Sequence, residues 1–186
     1  MAKEFGELEG RLLIAHAILR DPNFRRTVVY LCDYDAEDGA FGLILNRPLG
    51  QTAADFLPDD ADAIEVLAKV PVFQGGPVGS DRLVFAELGW DKKKKSAHVR
   101  HAIGMSEVVS LVEEGSTSLL RAFIGYAGWS AGQLEEEIAQ GSWVIADPVA
   151  ATFQLDRLAK LWSDTLSRLG PAYRLMAMQP DNPSLN

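Results

Sequence analysis

The polar residues that interrupt apolar runs are where this chain could do chemistry. Arg25, Arg26 and Arg47 each border an apolar run beside a turn, with Asn23 and Asn46 next to them. Guanidinium groups so placed could clamp a carboxylate or phosphate, or could pair with carboxylates of the acidic loops. A second set surrounds Gly125-Tyr126-Ala127-Gly128-Trp129, which leads through Ser130 into a helical stretch. Ser130 and Gln133 have the spacing of a capping box, and the free N–H groups of a helix start attract anions. Gly125, Gly128 and Gly132 would let a ligand approach the backbone. The same glycines would equally permit positive φ and close strand–helix packing, with Tyr126 and Trp129 as core anchors. Glu135, Glu136 and Glu137 follow within a turn and weaken any attraction for phosphate. The glycine spacing is not Gly-x-Gly-x-x-Gly, which argues against a dinucleotide.

Other reactive side chains are sparse. His98 and His101 are three apart within Ala97–Ile103, which reads as a strand, so their rings should point to opposite faces and share no metal. Cys32 ends a buried apolar strand and reads as inert packing rather than a nucleophile. His16 has no evident partner in sequence. Lys92 to Lys95 form the one concentrated basic feature; four such charges could hold a few phosphates, or could solvate a hairpin tip and discourage edge-to-edge pairing. The chain contains no Gly-x-Ser-x-Gly elbow, no Gly-x-x-x-x-Gly-Lys loop and no His-Glu-x-x-His. No catalytic residue, cofactor or metal is therefore expected. The candidate binding set is Asn23, Arg25, Asn46, Arg47, Gly76, Gly128, Ser130 and Gln133, for a protein or small-molecule partner the sequence does not identify.

Composition narrows the classes. The chain has 186 residues, 47% apolar and 24% charged, with a net charge of −8. That suits one soluble domain whose surface as a whole repels nucleic acid and anionic membranes. One cysteine cannot form an internal disulfide, the N-terminus has no basic-then-apolar leader, and no apolar run is long enough to span a bilayer. A cytoplasmic location is the expectation, without membrane contact.

The elements that must position these residues alternate between hairpins and helices. Leu8–Ala15 reads as a first strand, Thr27–Leu31 within the Phe24–Cys32 segment as a buried second, and Phe41–Leu45 as its hairpin partner across the acidic turn at Asp35–Gly39. Short helices are expected at Ala53–Leu57 and Ala61–Ala68, then a strand at Val70–Phe73. A second hairpin, Arg82–Ala86 with His98–Ile103, should carry the lysines at its tip. Ser106 should cap a helix to Gly115 with Val108, Val109, Leu111 and Val112 inward. The Leu119–Ile124 strand and the Ser130–Gly141 helix follow, then a short strand at Trp143–Ala146 and a helix start at Asp147-Pro148. Leu158, Leu161, Trp162, Thr165, Leu166 and Leu169 recur at three- and four-residue spacing, one buried face of a helix over Asp156–Leu169 stopped by Gly170-Pro171. The tail from Gln179 reads as loop. A mixed α/β or α+β single domain over residues 1–186 is the expectation.

Several segments together resemble the AlgH/YqgE family of bacterial proteins. They are Gly10–Ala15, Asp21–Leu31, Gly39–Pro48, Gly75–Val78, Gly125–Glu135 and the closing Pro183-Ser184-Leu185-Asn186. The resemblance implies an α/β fold whose bifurcated, strongly bent sheet forms a pseudo-barrel flanked by helices. For function it implies little: some members are described as transcriptional regulators on genetic rather than biochemical grounds, with no established catalytic residues to carry over. The chain also departs from the pattern, with His16-Ala17 where many relatives have Met-Pro, Asp33-Tyr34 where an acidic residue and histidine are common, and Gly141 where asparagine is frequent. Three functions stay open on the sequence. They are a non-enzymatic regulatory or interaction protein, an enzyme or small-molecule binder with an anion site at Gly125–Gln133 and an Arg25/Arg47 clamp, and a DNA binder. The net charge and the lack of a helix-turn-helix or basic helix argue against the last.

Overall fold

Gly125 sets the geometry of the sheet. It adopts a left-handed φ of +65° in the middle of β8 (Leu120–Trp129). A residue in that conformation acts as a bulge and reverses which face each following side chain meets. Before it, Leu120 and Ala122 pack into one core cluster and Phe123 into another. After it, Tyr126 turns to the cluster holding Phe123, while Ala127 and Trp129 enter a third. One strand thus serves three packing layers.

The computed structural model describes residues 8–57, 63–115 and 119–179. Eight further strands surround β8: β1 (Leu12–Ala15), β2 (Val28–Asp35), β3 (Gly39–Ile44), β4 (Pro48–Thr52), β5 (Pro71–Gln74), β6 (Val78–Asp91), β7 (Ser96–Ile103) and β9 (Trp143–Ala146). They form one sheet in the order β4-β5-β8-β3-β2-β1-β9, with β6 on β8 and β7 on β6. The first half of β8 lies between β5, its parallel neighbour, and antiparallel β6, whereas its end pairs with β3. The sheet forks there and curls into a half-barrel. Helices α1 (Ile64–Leu67), α2 (Met105–Glu113), α3 (Gln133–Ala139), α4 (Leu161–Arg168) and α5 (Pro171–Ala177) flank it. The inner cluster joins Leu12, Ile14, Val28, Tyr30, Leu43 and Phe123 to Leu161, Trp162 and Leu166 of α4. No helix among the described residues is long and apolar enough to cross a membrane.

The expected mixed α/β architecture, with a bent and forked sheet, is therefore what the chain adopts. Several elements differ in detail. β1 begins only at Leu12, because Gly10 turns the chain before it. Phe24–Arg26 is turn, and Ala53–Leu57 is a single 3-10 turn over Ala53–Asp55. Part of the expected Ala61–Ala68 helix lies outside the described residues, as does the closing Pro183–Asn186 segment. In α2 the N-cap is Gly104, not Ser106, and Val108 and Val112 are buried while Val109 is only half-buried. The Asp156–Leu169 helix keeps its predicted buried face but begins as a 3-10 run, Leu155–Lys160, before becoming α-helical at Leu161. Pro171 both ends α4 and opens α5, since proline at a first helical position loses nothing by lacking an N–H.

Candidate functional site

A concavity of about 670 Å³ opens where β2, β3 and the end of β8 meet at the barrel mouth. Glu9, Asp33, Asp35 and Asp38 line it together with Tyr34, Phe41, Tyr126 and Trp129. Two irregularities aim these side chains. The bulge at Gly125 turns Tyr126 toward Phe41, whose ring lies 5.0 Å away centroid to centroid. A register shift between Leu31 and Asp33 in β2 does the same across the groove. Asp33 then faces β7, where its Oδ2 lies 3.3 Å from His101 Nε2, and Tyr34 turns outward to donate a 2.5 Å hydrogen bond to Glu135 Oε1 on α3. His101 also packs against Phe41 at 5.3 Å. Side chains of β7 and β2 thus close the mouth of a barrel whose strands do not pair there.

The field in this groove is negative. Asp35 accepts the backbone N–H groups of Glu37 and Asp38 at 2.8 and 3.1 Å, which holds its carboxyl below the usual range. Burial, reinforced by the bond to Glu135, pushes the Tyr34 phenol up to about 12, so it remains a neutral donor at physiological pH. Carboxylates beside aromatic faces make a surface that favours a cation: the charges attract it and the ring quadrupoles stabilise it once it is partly desolvated. Cys32, one residue from Asp33, is buried and its pKa is raised by that burial, so the thiol stays protonated and unreactive. Among the described residues no group of three His, Cys, Asp or Glu side chains is placed to hold a metal. His98 turns to Glu87 at 3.2 Å and His101 to Asp33, on opposite faces of β7 as their spacing requires.

The sequence-derived candidates divide between two places. Gly128 pairs with Phe41 and lies beneath the Tyr126 ring, so it underlies the groove. Ser130 follows Trp129 on its rim; its N–H and its hydroxyl both donate to Gln133 Oε1 at 3.1 Å. That is half of the expected capping box, because the helix itself starts one residue after Gly132, its N-cap. Asn23, Arg25, Asn46 and Arg47 gather instead at the opposite end of β3. Asn46 accepts the Val28 N–H and donates to the Arg26 carbonyl, both at 2.9 Å. Arg47 donates to the carbonyls of Arg25 and Pro22 at 2.9 and 3.3 Å, and Asn23 N–H closes a turn on Asp21 Oδ1 at 2.8 Å. Gly76 crosses Tyr126 so closely that an added Cβ would meet its carbonyl carbon at 2.2 Å. The arginine clamp and the helix start therefore do not converge, and the junction's own groove is lined by acids rather than cations. The acidic turn at Asp35–Gly39 was visible in the sequence; the bulges that group it with the aromatic rings were not.

The geometry defines a class: a half-barrel α/β protein with an acidic, aromatic groove at its mouth and a packed interior. A family model described as AlgH-like matches residues 12–174, and the chain belongs to that family. It is 38% identical over 199 residues to a UPF0301 protein of Streptomyces coelicolor, covering 98% of this chain and 97% of that one. A UPF0301 protein of Chlorobium limicola is 34% identical over the full length of both. The solution structure of AlgH from Pseudomonas aeruginosa superposes with a TM-score of 0.66 at 28% identity, over 94% of this chain and 95% of that one. A Corynebacterium diphtheriae protein, at 21% identity and a TM-score of 0.65, shares the fold.

Proposed function

We propose that this chain is a non-enzymatic interaction protein whose groove receives a cationic segment of a protein partner. What carries the reading is the coincidence of four carboxylates and four aromatic rings in one concavity. A lysine- or arginine-bearing segment matches both features, through ion pairing and through the ring faces. Gly128 pairs with groove-lining Phe41, Ser130 follows groove-lining Trp129, and Gln133 holds Ser130 in place. Asn23, Arg25, Asn46 and Arg47 serve the groove indirectly, by bracing the turn before β2, and Gly76 does so by letting the fork close. A regulatory role of the kind the family resemblance implies would run through such a partner and not through DNA, since a net charge of −8 and an acidic mouth both repel phosphates.

The test is a titration with an oligolysine peptide at low salt, read by the fluorescence of groove-lining Trp129. Replacing Asp33 and Asp38 together by Asn removes two exposed charges, each contributing about 0.2–1 kcal/mol. Binding should weaken by about 5-fold, and added salt should weaken it further in the unmodified chain. Tighter binding of oligoglutamate than of oligolysine would overturn the reading and restore the anion alternative.

A further inference from the structure

Arg121 is a charged side chain in the wrong place for a structural ion pair. It lies on β8 inside the half-barrel with no solvent exposure, its guanidinium 5.4 Å from the Phe73 ring centroid. One nitrogen, Nη2, donates to the carbonyl of Phe153. Nε and Nη1 have no acceptor among the described residues. Burial lowers its pKa to about 10, so the group is still a cation at neutral pH. No carboxylate among the described residues reaches this one. A buried cation without counter-charge is strongly disfavoured, and removing one partner from a buried pair leaves such a charge.

Phe153 ends the 3-10 strap Ala150–Phe153, and the two residues before it, Ala151 and Thr152, line a separate pocket of about 230 Å³. Thr152 Oγ1 pins the strap by accepting the Val149 N–H at 3.0 Å. The carbonyl that accepts Arg121 Nη2 thus belongs to the same strap that borders this pocket.

We propose that Arg121 is an internal anion site, in which Nε and Nη1 hold a small monovalent anion, a halide or a short carboxylate, that enters past the Ala150–Phe153 strap. Apolar walls favour a singly charged ion, because stripping water from a dianion costs far more. The charge of the anion also supplies what no carboxylate among the described residues does. The site is distinct from the acidic groove, which lies at the other end of β8, and does not depend on how the groove is used.

The direct experiment is anomalous diffraction from crystals of the unmodified chain soaked in bromide. A bromide peak within about 3.5 Å of Arg121 Nε or Nη1 is the expected result. In solution, Tm measured in chloride or formate against gluconate at fixed ionic strength should rise by several degrees and saturate. In Arg121→Met that specific rise should vanish, while the general response to salt remains. If the variant does not fold, the bromide measurement on the unmodified chain decides alone. An ordered water or protein acceptor in place of bromide, or equal anion responses in both chains, would overturn the proposal.

Discussion

Glu137 offers the sharpest test of how the sheet and α3 are joined. Its Oε2 accepts the indole N–H groups of both Trp129 and Trp143, at 3.0 and 2.7 Å, and its Oε1 accepts Gln133 Nε2 at 3.0 Å. Both indoles are nearly buried and meet edge to face at 5.9 Å, with Phe24 packed against each. Glu137→Ala strands two donors away from water, at about 1–3 kcal/mol each. The sum is roughly 2–6 kcal/mol, partly offset where water can enter the space left behind. For a chain of this size about 2–4 °C of Tm accompanies each kcal/mol, so a loss of roughly 8–16 °C is expected from the middle of that range. Glu137→Gln keeps an oxygen but not the charge and should fall between, at about 1–2 kcal/mol. Circular dichroism melts and urea titrations measure both. A double-mutant cycle with Trp143→Phe should return a coupling of about 1 kcal/mol or more, because the two groups touch. Melting of Glu137→Ala within a degree of the unmodified chain would show that the indoles do not depend on this carboxylate, and the clamp would be refuted.

Two further outcomes follow from the same geometry. Gly125→Ala would place a Cβ 2.5 Å from the Gly76 carbonyl oxygen and 2.8 Å from that of Val78, at a φ that L-residues avoid; a loss of about 2–4 kcal/mol in urea unfolding is expected, and a neutral result would mean that the bulge is not needed. Tyr30 is buried, and that burial, with Cys32 and Glu9 nearby, raises its phenol to about 12. Its stabilising contribution is complete below pH 10 and is lost as the pH rises through about 12, because the unfolded chain releases the proton first. An alkaline fall in Tm over that window should be smaller in Tyr30→Phe; equal falls would assign it to other groups.

The hairpins and the buried face of α4 were legible because each carries a period: two in the strands, three to four in the helix. α5 was not, because its core-facing stripe, Tyr173, Met176 and Ala177, is short and only half-buried, while exposed Leu175 and Met178 beside it blur the period. Arg121 passed unnoticed inside an apolar run, although its alternation with Phe123 places it on the inner face of a strand. Glu137 was hidden differently. Within three consecutive glutamates, nothing but the fold distinguishes the one that meets two indoles from Glu135, which meets Tyr34, and from exposed Glu136. The candidate groove failed to show for a related reason. Its acids come from the segment before β1 and from the β2–β3 hairpin, its rings from β2, β3 and β8, and a bulge in each of β2 and β8 is needed to bring them round.

Those bulges also tie the packing of the glycine-rich junction to the shape of the groove. A strand of strict alternation through Gly125 would keep Tyr126 on the face of Ala122 and Ile124, away from Phe41, and would carry Ala127 and Trp129 onto the face of Phe123. With the left-handed glycine in place, Tyr126 reaches the barrel mouth and Trp129 reaches the outer layer beside Trp143 and Leu134. The register shift after Leu31 likewise turns Asp33 inward toward His101 and Tyr34 outward toward α3. Packing and groove are therefore set by the same two backbone irregularities. A substitution that restores regular alternation in β8 should damage the core and remove the aromatic half of the groove together, whereas neutralising Asp33 and Asp38 should remove the acidic half and leave the core intact.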